Sequence, residues 1–318
     1  MWGNRVTQLL GTTYPIIQGG LAYLAYSELA SAVSAAGGLG QITAMSLSSP
    51  RTLREEIRNV RLRTDQPFGV NFAIGQHGRS FEPMLDVAID EFVPVITMTG
   101  GNPAPILNKL KDTKIKKVVL VASRRQAVKA EELGADAVMV VGQEGGGHLG
   151  RSDTGTFVLV PQVVDAVSIP VIASGGIGDG RGMMAALALG AEGIEMGTRF
   201  IVTKECVHAH PNYKRNIIAA TEDDTIVIKR SLGTPGRALK NEWTNKILQI
   251  ENKEPTYDAL KEYISGEANK SYIYGGKEDK GFGWAGQVVG RIHEELTVSQ
   301  LITKIINEAN IIRNQWMF

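Results

Sequence analysis

The sequence predicts an α/β protein built as a closed (β/α)8 TIM barrel, with a small helical cap inserted after the eighth strand. Three observations lead there. Apolar strand-like runs alternate with helix-like segments eight times before Phe200, the links between them are short, and glycines with isolated polar residues gather just past the strand-like runs. Eight βα units with short connections favour a closed barrel over an open doubly wound sheet, and barrel enzymes keep their sites on the loops that follow the strands.

Taken in order, the strand-like runs are residues 15–18, 38–42, 68–71, 95–97, 117–121, 137–141, 171–174 and 193–196. They are rich in Val and Ile and nearly all apolar, as strands buried on both faces of a parallel sheet must be. Between them, residues 25–36, 50–61, 80–90, 103–110, 124–133, 161–167 and 181–189 carry apolar residues at helical spacing. Ser49-Pro50 and Asn102-Pro103 each place a capping side chain before a helix-initiating proline. After Phe200 the alternation stops. His208 to Lys214 reads as a loop, 238–250 and 257–265 as helices, and Gly281-Phe282-Gly283-Trp284 as a glycine-rich return to a last helical region over 287–309. The expected division is a barrel from 1–207 and 276–318, with 208–275 as the cap on the substrate side.

Composition removes several functions. The chain has 318 residues, 43% hydrophobic and 21% charged, enough for a large core and typical of an ordered globular protein. Lys+Arg 34 against Asp+Glu 33 leaves a net charge of +1, without the basic footprint of a nucleic-acid binder. A single cysteine, Cys206, fits a reducing compartment and reads as a packing residue. No run reaches the roughly twenty apolar residues of a membrane helix, and the N-terminus lacks a secretory pattern, so the cytoplasm is the expected location. A homodimer stays open.

The chemistry concentrates on Val138-Met139-Val140-Val141-Gly142-Gln143-Glu144-Gly145-Gly146-Gly147-His148-Leu149-Gly150. Three glycines strip the loop of side chains so that a flat partner can approach its backbone, and His148 is the only titratable group between Gly145 and Gly150, hence the candidate acid or base. A flexible turn with a surface histidine is the plain alternative. Glu144 could orient His148 or be solvated. The seventh and eighth strands run into Ser174-Gly175-Gly176 and Glu195-Met196-Gly197-Thr198-Arg199. In barrels these two loops commonly bind phosphate through backbone N–H groups, with Thr198 able to add a hydroxyl; Arg199 could equally be a structural ion-pair partner. A phosphate site at one edge and a bare glycine loop across the mouth leave room for the ring of flavin mononucleotide, whose polar edge the amides of Gln18 and Asn71 could meet. Either amide could instead brace a neighbouring loop. His208 and His210 form no compact metal motif, and Asp179 reads as a helix cap.

Several ordered blocks together carry a resemblance: Pro15-Ile16-Ile17-Gln18-Gly19-Gly20, Ala36-Gly37-Gly38-Leu39-Gly40, Phe68-Gly69-Val70-Asn71, Gly146-Gly147-His148-Leu149-Gly150, Pro170-Val171-Ile172-Ala173-Ser174-Gly175-Gly176-Ile177, Met196-Gly197-Thr198-Arg199-Phe200 and Trp284-Ala285-Gly286-Gln287. With them, nearly the whole chain resembles the nitronate monooxygenases, formerly 2-nitropropane dioxygenases, and their relatives the FMN-dependent enoyl-acyl-carrier-protein reductases. The resemblance implies a barrel that binds FMN through Gly20, Leu21, Asn71, Gly146, Gly147, Ser174, Gly175, Gly176 and the run Glu195, Met196, Gly197, Thr198, with His148 as the catalytic histidine. It implies oxidation of a small alkyl nitronate with O2. The alternatives are NAD(P)H-dependent reduction of an enoyl thioester and a flavin-carrying protein without turnover.

Overall fold

Eight parallel strands close on themselves around a packed interior. A computed structural model describes residues 2–75 and 80–316. In chain order the strands up to the eighth barrel position are β1 (Ile16–Gln18), β2 (Gly40–Thr43), β3 (Phe68–Ala73), β4 (Val95–Thr99), β5 (Lys116–Val121), β6 (Ala137–Val141), the two-residue β7 (Gly147–His148), β8 (Val171–Ser174) and β9 (Gly193–Met196). All but β7 form one parallel sheet in the order β1-β9-β8-β6-β5-β4-β3-β2. The ring closes between its two ends: Ile17 bridges Leu39, with Leu39 N–H donating to Ile16 O at 2.8 Å and Gln18 N–H to Leu39 O at 3.0 Å.

Side-chain alternation along each strand explains why the runs are almost wholly apolar. Ile16, Ile42, Val70, Ile96, Val138, Val140 and Ala173 pack outward against the helices in one large core. Ile17, Leu39, Val95, Val118, Ala137, Met139 and Ile172 point into the barrel, joined by Val6 and Leu10 of the N-terminal helix Arg5–Leu10, which plugs its lower end. Period-two alternation then places Gln41, Thr43, Asn71, Thr97, Ser174 and Glu195 in a second, polar layer above this apolar one.

Helices begin where the local chemistry directs. Ser49 Oγ accepts the Thr52 N–H at 3.2 Å to start Pro50–Arg63, and Asp179 Oδ1 accepts the Gly182 N–H at 2.9 Å to start Gly180–Ala188. One helix expected to begin at Pro161 instead spans Thr156–Val164 with Pro161 inside it. Its first turn is held by the Glu144 carboxylate, which accepts the Thr156 N–H at 2.8 Å and the Thr156 hydroxyl at 2.9 Å. This cap comes from twelve residues upstream and stands in for a local capping side chain.

Beyond the barrel, the stretch expected to be a loop becomes the helix Pro211–Ala219, begun by His210 Nδ1 accepting the Asn212 N–H at 3.1 Å. Segment 208–275 also contains the helices Glu242–Lys253, Tyr257–Leu260 and Gly266–Ile273. It is not purely helical: β10 (Thr225–Ile228) and β11 (Gly236–Leu239) form an antiparallel pair, and β11 takes β7 as a third strand, pairing Gly236 with His148 and Arg237 with Gly147. Ile228, Ala238, Ile247, Leu260, Ala268 and Phe282 give this part a small core of its own. The expected last helical region splits into a 3-10 turn over Gln287–Arg291 and the helix Val298–Gln315, capped by Thr297.

Candidate active site

The loops after β1, β6, β8 and β9 meet at one end of the barrel, joined by the turn around Gly286. Their contacts are close enough that glycine is required. A Cβ on Gly146 would lie 2.6 Å from Gly286 N, one on Gly142 would lie 2.2 Å from Thr156 N, and one on Gly20 would lie 2.6 Å from Asn71 Oδ1. Gly286 N–H donates to Thr198 Oγ1 at 3.0 Å, and Gln287 N–H donates to Glu144 O at 2.9 Å, so the Gly286 turn ties the β6 loop to the β9 loop. Leu21 borders Gly197, whose added Cβ would lie 3.3 Å from Leu21 Cδ2.

Gly175 and Gly176 take left-handed backbone angles (φ +91° and +77°), which L side chains adopt only at a cost. Among the described residues, the N–H groups of Gly176, Ile177 and Gly197 donate to no protein acceptor. A cluster of unsatisfied backbone donors beside adjoining glycine turns is a cradle for an anion. Above the apolar barrel layer, Asn71 Nδ2 donates to Thr97 Oγ1 at 2.9 Å, the Thr97 hydroxyl donates to Gln41 Oε1, and Gln41 Nε2 donates to Gln18 O at 2.7 Å. Gln18 is fully buried with both ends of its amide engaged, its Oε1 by Gln41 N–H at 2.9 Å and its Nε2 by Gly19 O. It braces β1 against β2. Thr43 Oγ1, next to Asn71 by strand register, is buried without a hydrogen-bond partner in the described structure.

Glu195 lies in the same layer, 6% exposed, and accepts the Ser174 hydroxyl. Burial raises its carboxyl above the usual range, against the Ser174 bond pulling it down. Met196 faces the other way, into the helix-side core. Arg199 is 4% exposed and donates to Val202 O at 3.2 Å and Glu294 O at 3.3 Å, a structural tie. His208 packs edge-on against Tyr26 with ring centroids 5.0 Å apart. Burial pushes the Cys206 thiol up to about 12, as for an unreactive packing group. No group of three His, Cys, Asp or Glu side chains among the described residues could hold a metal ion.

His148 lies in β7, exposed, at the end of the glycine loop. Arg237 clamps that loop by donating from Nε and Nη2 to Gln143 O at 3.1 and 3.0 Å. Glu144 does not orient His148, because its carboxylate is spent on Thr156. Lys229 contacts His148, with Nζ 3.0 Å from its Nε2. Trp284 stacks beside both, its ring centroid 5.3 Å from that of His148 and 5.0 Å from Lys229 Nζ. Lys229 is 7% exposed and has φ +62°. Burial lowers its amine from 10.5 to about 8, with Glu251 pulling the other way. Sequence reasoning missed Lys229, Thr43 and the inward-facing Gln41 and Thr97. The last three carry a signal, polar residues at alternate positions of otherwise apolar strands; Lys229 carries none.

The fold is a (β/α)8 barrel, a scaffold whose enzymes work at the C-terminal ends of their strands. The chain belongs to the nitronate monooxygenase family, whose model matches residues 4–80 and 74–308, and it is an oxidoreductase. A probable nitronate monooxygenase of Staphylococcus saprophyticus is 34% identical over 355 aligned positions, covering 98% of this chain and 99% of the relative. Among solved structures, FabK from Thermotoga maritima superposes with a TM-score of 0.92 at 40% identity, covering 98% of each chain. A nitroalkane oxidase from Streptomyces ansochromogenes superposes at 0.83 with 26% identity, covering 98% of this chain and 99% of that one. Among the described residues, no helix is long and apolar enough to cross a membrane.

Proposed function

We propose that this chain binds FMN at the barrel mouth and oxidises small alkyl nitronates with O2. The observation that carries the reading is the unsatisfied donor set, Gly176, Ile177 and Gly197 N–H, lying beside a glycine loop that ends in His148. The residues present fit such a cofactor. Left-handed glycines expose N–H groups for its phosphate, Thr198 offers a hydroxyl, and the orphaned Thr43 Oγ1 with Asn71 offers polar atoms for a ring edge. Gly147 faces open space where a flat ring would rest, and Gly20 and Gly146, pressed against Asn71 and the Gly286 turn, let those neighbours close in around it. Leu21 supplies an apolar border, and Ser174 with the buried Glu195 closes the polar layer beneath.

Bound FMN would supply a two-electron redox centre for the substrate and oxygen. The protein's part is to bind and orient. His148 meets the substrate beside the glycine loop, and residues 208–275 form the substrate-side wall, with β11 fixing β7.

A second reading has a specific support, the 40% identity to FabK. In that reading, NAD(P)H provides the electrons and an enoyl thioester receives them. One flavin-loaded sample separates the two. Oxygen uptake with propionate 3-nitronate and no nicotinamide supports the first; NADH oxidation that depends on a crotonyl thioester supports the second. A yellow protein doing neither is a flavin carrier, and the proposed activity falls.

A further inference from the structure

Lys229 breaks three habits of lysine at once. Its backbone is left-handed, at φ +62°, a conformation that a side-chain-bearing residue adopts only under strain. Its side chain is almost wholly buried, which is rare for lysine unless an opposite charge is near. Among the described residues no carboxylate lies within ion-pair distance of its Nζ, and the only hydrogen-bond acceptor it meets is His148 Nε2. The nearby Glu251 is spent on backbone and hydroxyl groups: it accepts the N–H of Lys229 itself at 2.9 Å, the N–H of Ser231 at 3.1 Å and the Ser231 hydroxyl at 2.8 Å. An ammonium has three donors. One is used on the imidazole and the Trp284 face supports the group, so the amine keeps donors to offer beside the exposed His148.

We propose that Lys229, with His148 and Trp284, forms the recognition site for a planar two-oxygen anion, and that its ammonium is the charge that selects a nitronate over the neutral nitroalkane. This rests on the reading that the substrate binds beside His148. A nitronate carries its charge on two oxygens in one plane, the same shape and charge as a carboxylate. One oxygen can meet the remaining Lys229 donors while the Trp284 ring lies alongside. With Lys229 donating to Nε2, the neutral tautomer of His148 carries its ring proton on Nδ1. The missing counter-charge then arrives with the substrate, and strain at residue 229 is retained for function. Lys229 is in this account a specificity residue, and no bond is made or broken at it.

The test uses isobutyrate, the carboxylate shaped like propane 2-nitronate, and neutral 2-nitropropane as binding probes, with calorimetry on flavin-loaded wild type, K229M, K229R and K229G. Isobutyrate binding should weaken by about 10- to 100-fold in K229M and K229G, the loss of one charge-assisted hydrogen bond. Binding of 2-nitropropane should change by less than about threefold, and K229R should recover part of the anion affinity. K229G guards against misfolding, since glycine takes the left-handed angle without strain. For turnover of propane 2-nitronate, KM should rise in K229M more than kcat falls. Equal isobutyrate affinity in wild type and K229M, or equal losses for the acid anion and the neutral compound, overturns the proposal. If Lys229-dependent anion binding is found but nitronate is not oxidised, the site stands and the proposed activity fails. If nitronate is oxidised with unchanged KM in K229M, the activity stands and the site fails.

Discussion

Replacing Lys229 by methionine should make the protein more stable near neutral pH, and the gain should vanish in alkali. Methionine keeps a stem of four heavy atoms and the same left-handed backbone penalty, so the substitution removes the amine, with its hydrogen bond to the exposed His148, and leaves the rest of the packing. Burial lowers the amine from 10.5 to about 8, with Glu251 opposing; at about 1.4 kcal/mol per pH unit this means that holding the ammonium in the folded protein costs about 3 kcal/mol. The sign follows from proton counting. Below about pH 8, folded and unfolded chains both carry the proton and the full cost is present. Between about 8 and 10.5 the unfolded chain holds the proton that the folded one has released, so wild-type stability rises with pH. Above that range both are neutral and the cost is gone. Lys229→Met should therefore gain about 3 kcal/mol in urea unfolding near pH 7, a sizeable share of the 5–15 kcal/mol typical of a folded domain, and match wild type near pH 11. His148, Glu251 and Trp284 are the groups facing the amine, and none of them is altered by the substitution. A variant that is less stable at pH 7, or whose gain is the same at both pH values with an unchanged urea slope, would refute the account of Lys229 as a strained, uncompensated cation.

Three other substitutions probe the rest of the site. His148→Ala should lower turnover of propionate 3-nitronate by about 100-fold or more, in the range for a lost acid or base, while flavin absorbance stays with the protein on gel filtration; unchanged turnover removes His148 from the reaction. Gly176→Ala places a Cβ at φ +77° and should cost about 1–2 kcal/mol in urea unfolding as well as weakening FMN retention, with FMN fluorescence in the filtrate of a spin concentrator as the readout; full retention argues against the glycine cradle. Glu195→Gln keeps an oxygen that accepts from Ser174 and cannot ionise. A carboxyl whose folded value is raised above its ordinary 4.5 loses stabilisation as pH climbs past that value, because the unfolded chain ionises first. The glutamine variant should thus be more stable than wild type near pH 7 and lose that advantage near pH 4, measured by thermal unfolding; a stability difference that does not change with pH would contradict a carboxyl raised by burial.

The barrel was legible in the residues because a buried parallel strand announces itself locally. Ala137 to Val141 has no polar member to explain, and β3, β4 and β5 were each recognisable within a residue or two of their ends. The same holds for caps made by near neighbours, as at Ser49 and Asp179. Prediction failed where the partner was distant. Pro161 suggested a helix start because prolines favour first turns, but the true first turn is held by Glu144, outside the helix. The hairpin of β10 and β11 went unseen because β10 is short and half-exposed and β7 has only two residues, too few to show a period.

What the sequence by itself determined is therefore the repeating βα scaffold, the glycine turns after β6, β8 and β9 and the histidine at the mouth, all of them properties of contiguous residues. Only the tertiary structure decided what stands beside that histidine. Lys229 is 81 positions away in the chain, and it arrives because β11 pairs with β7 and turns the end of β10 inward. Side-chain periodicity is set by each residue's own backbone, whereas the burial of a charge depends on which distant surfaces exclude water from it. That second quantity has no local signature, and here it separates a lysine that reads as surface from one held against the site.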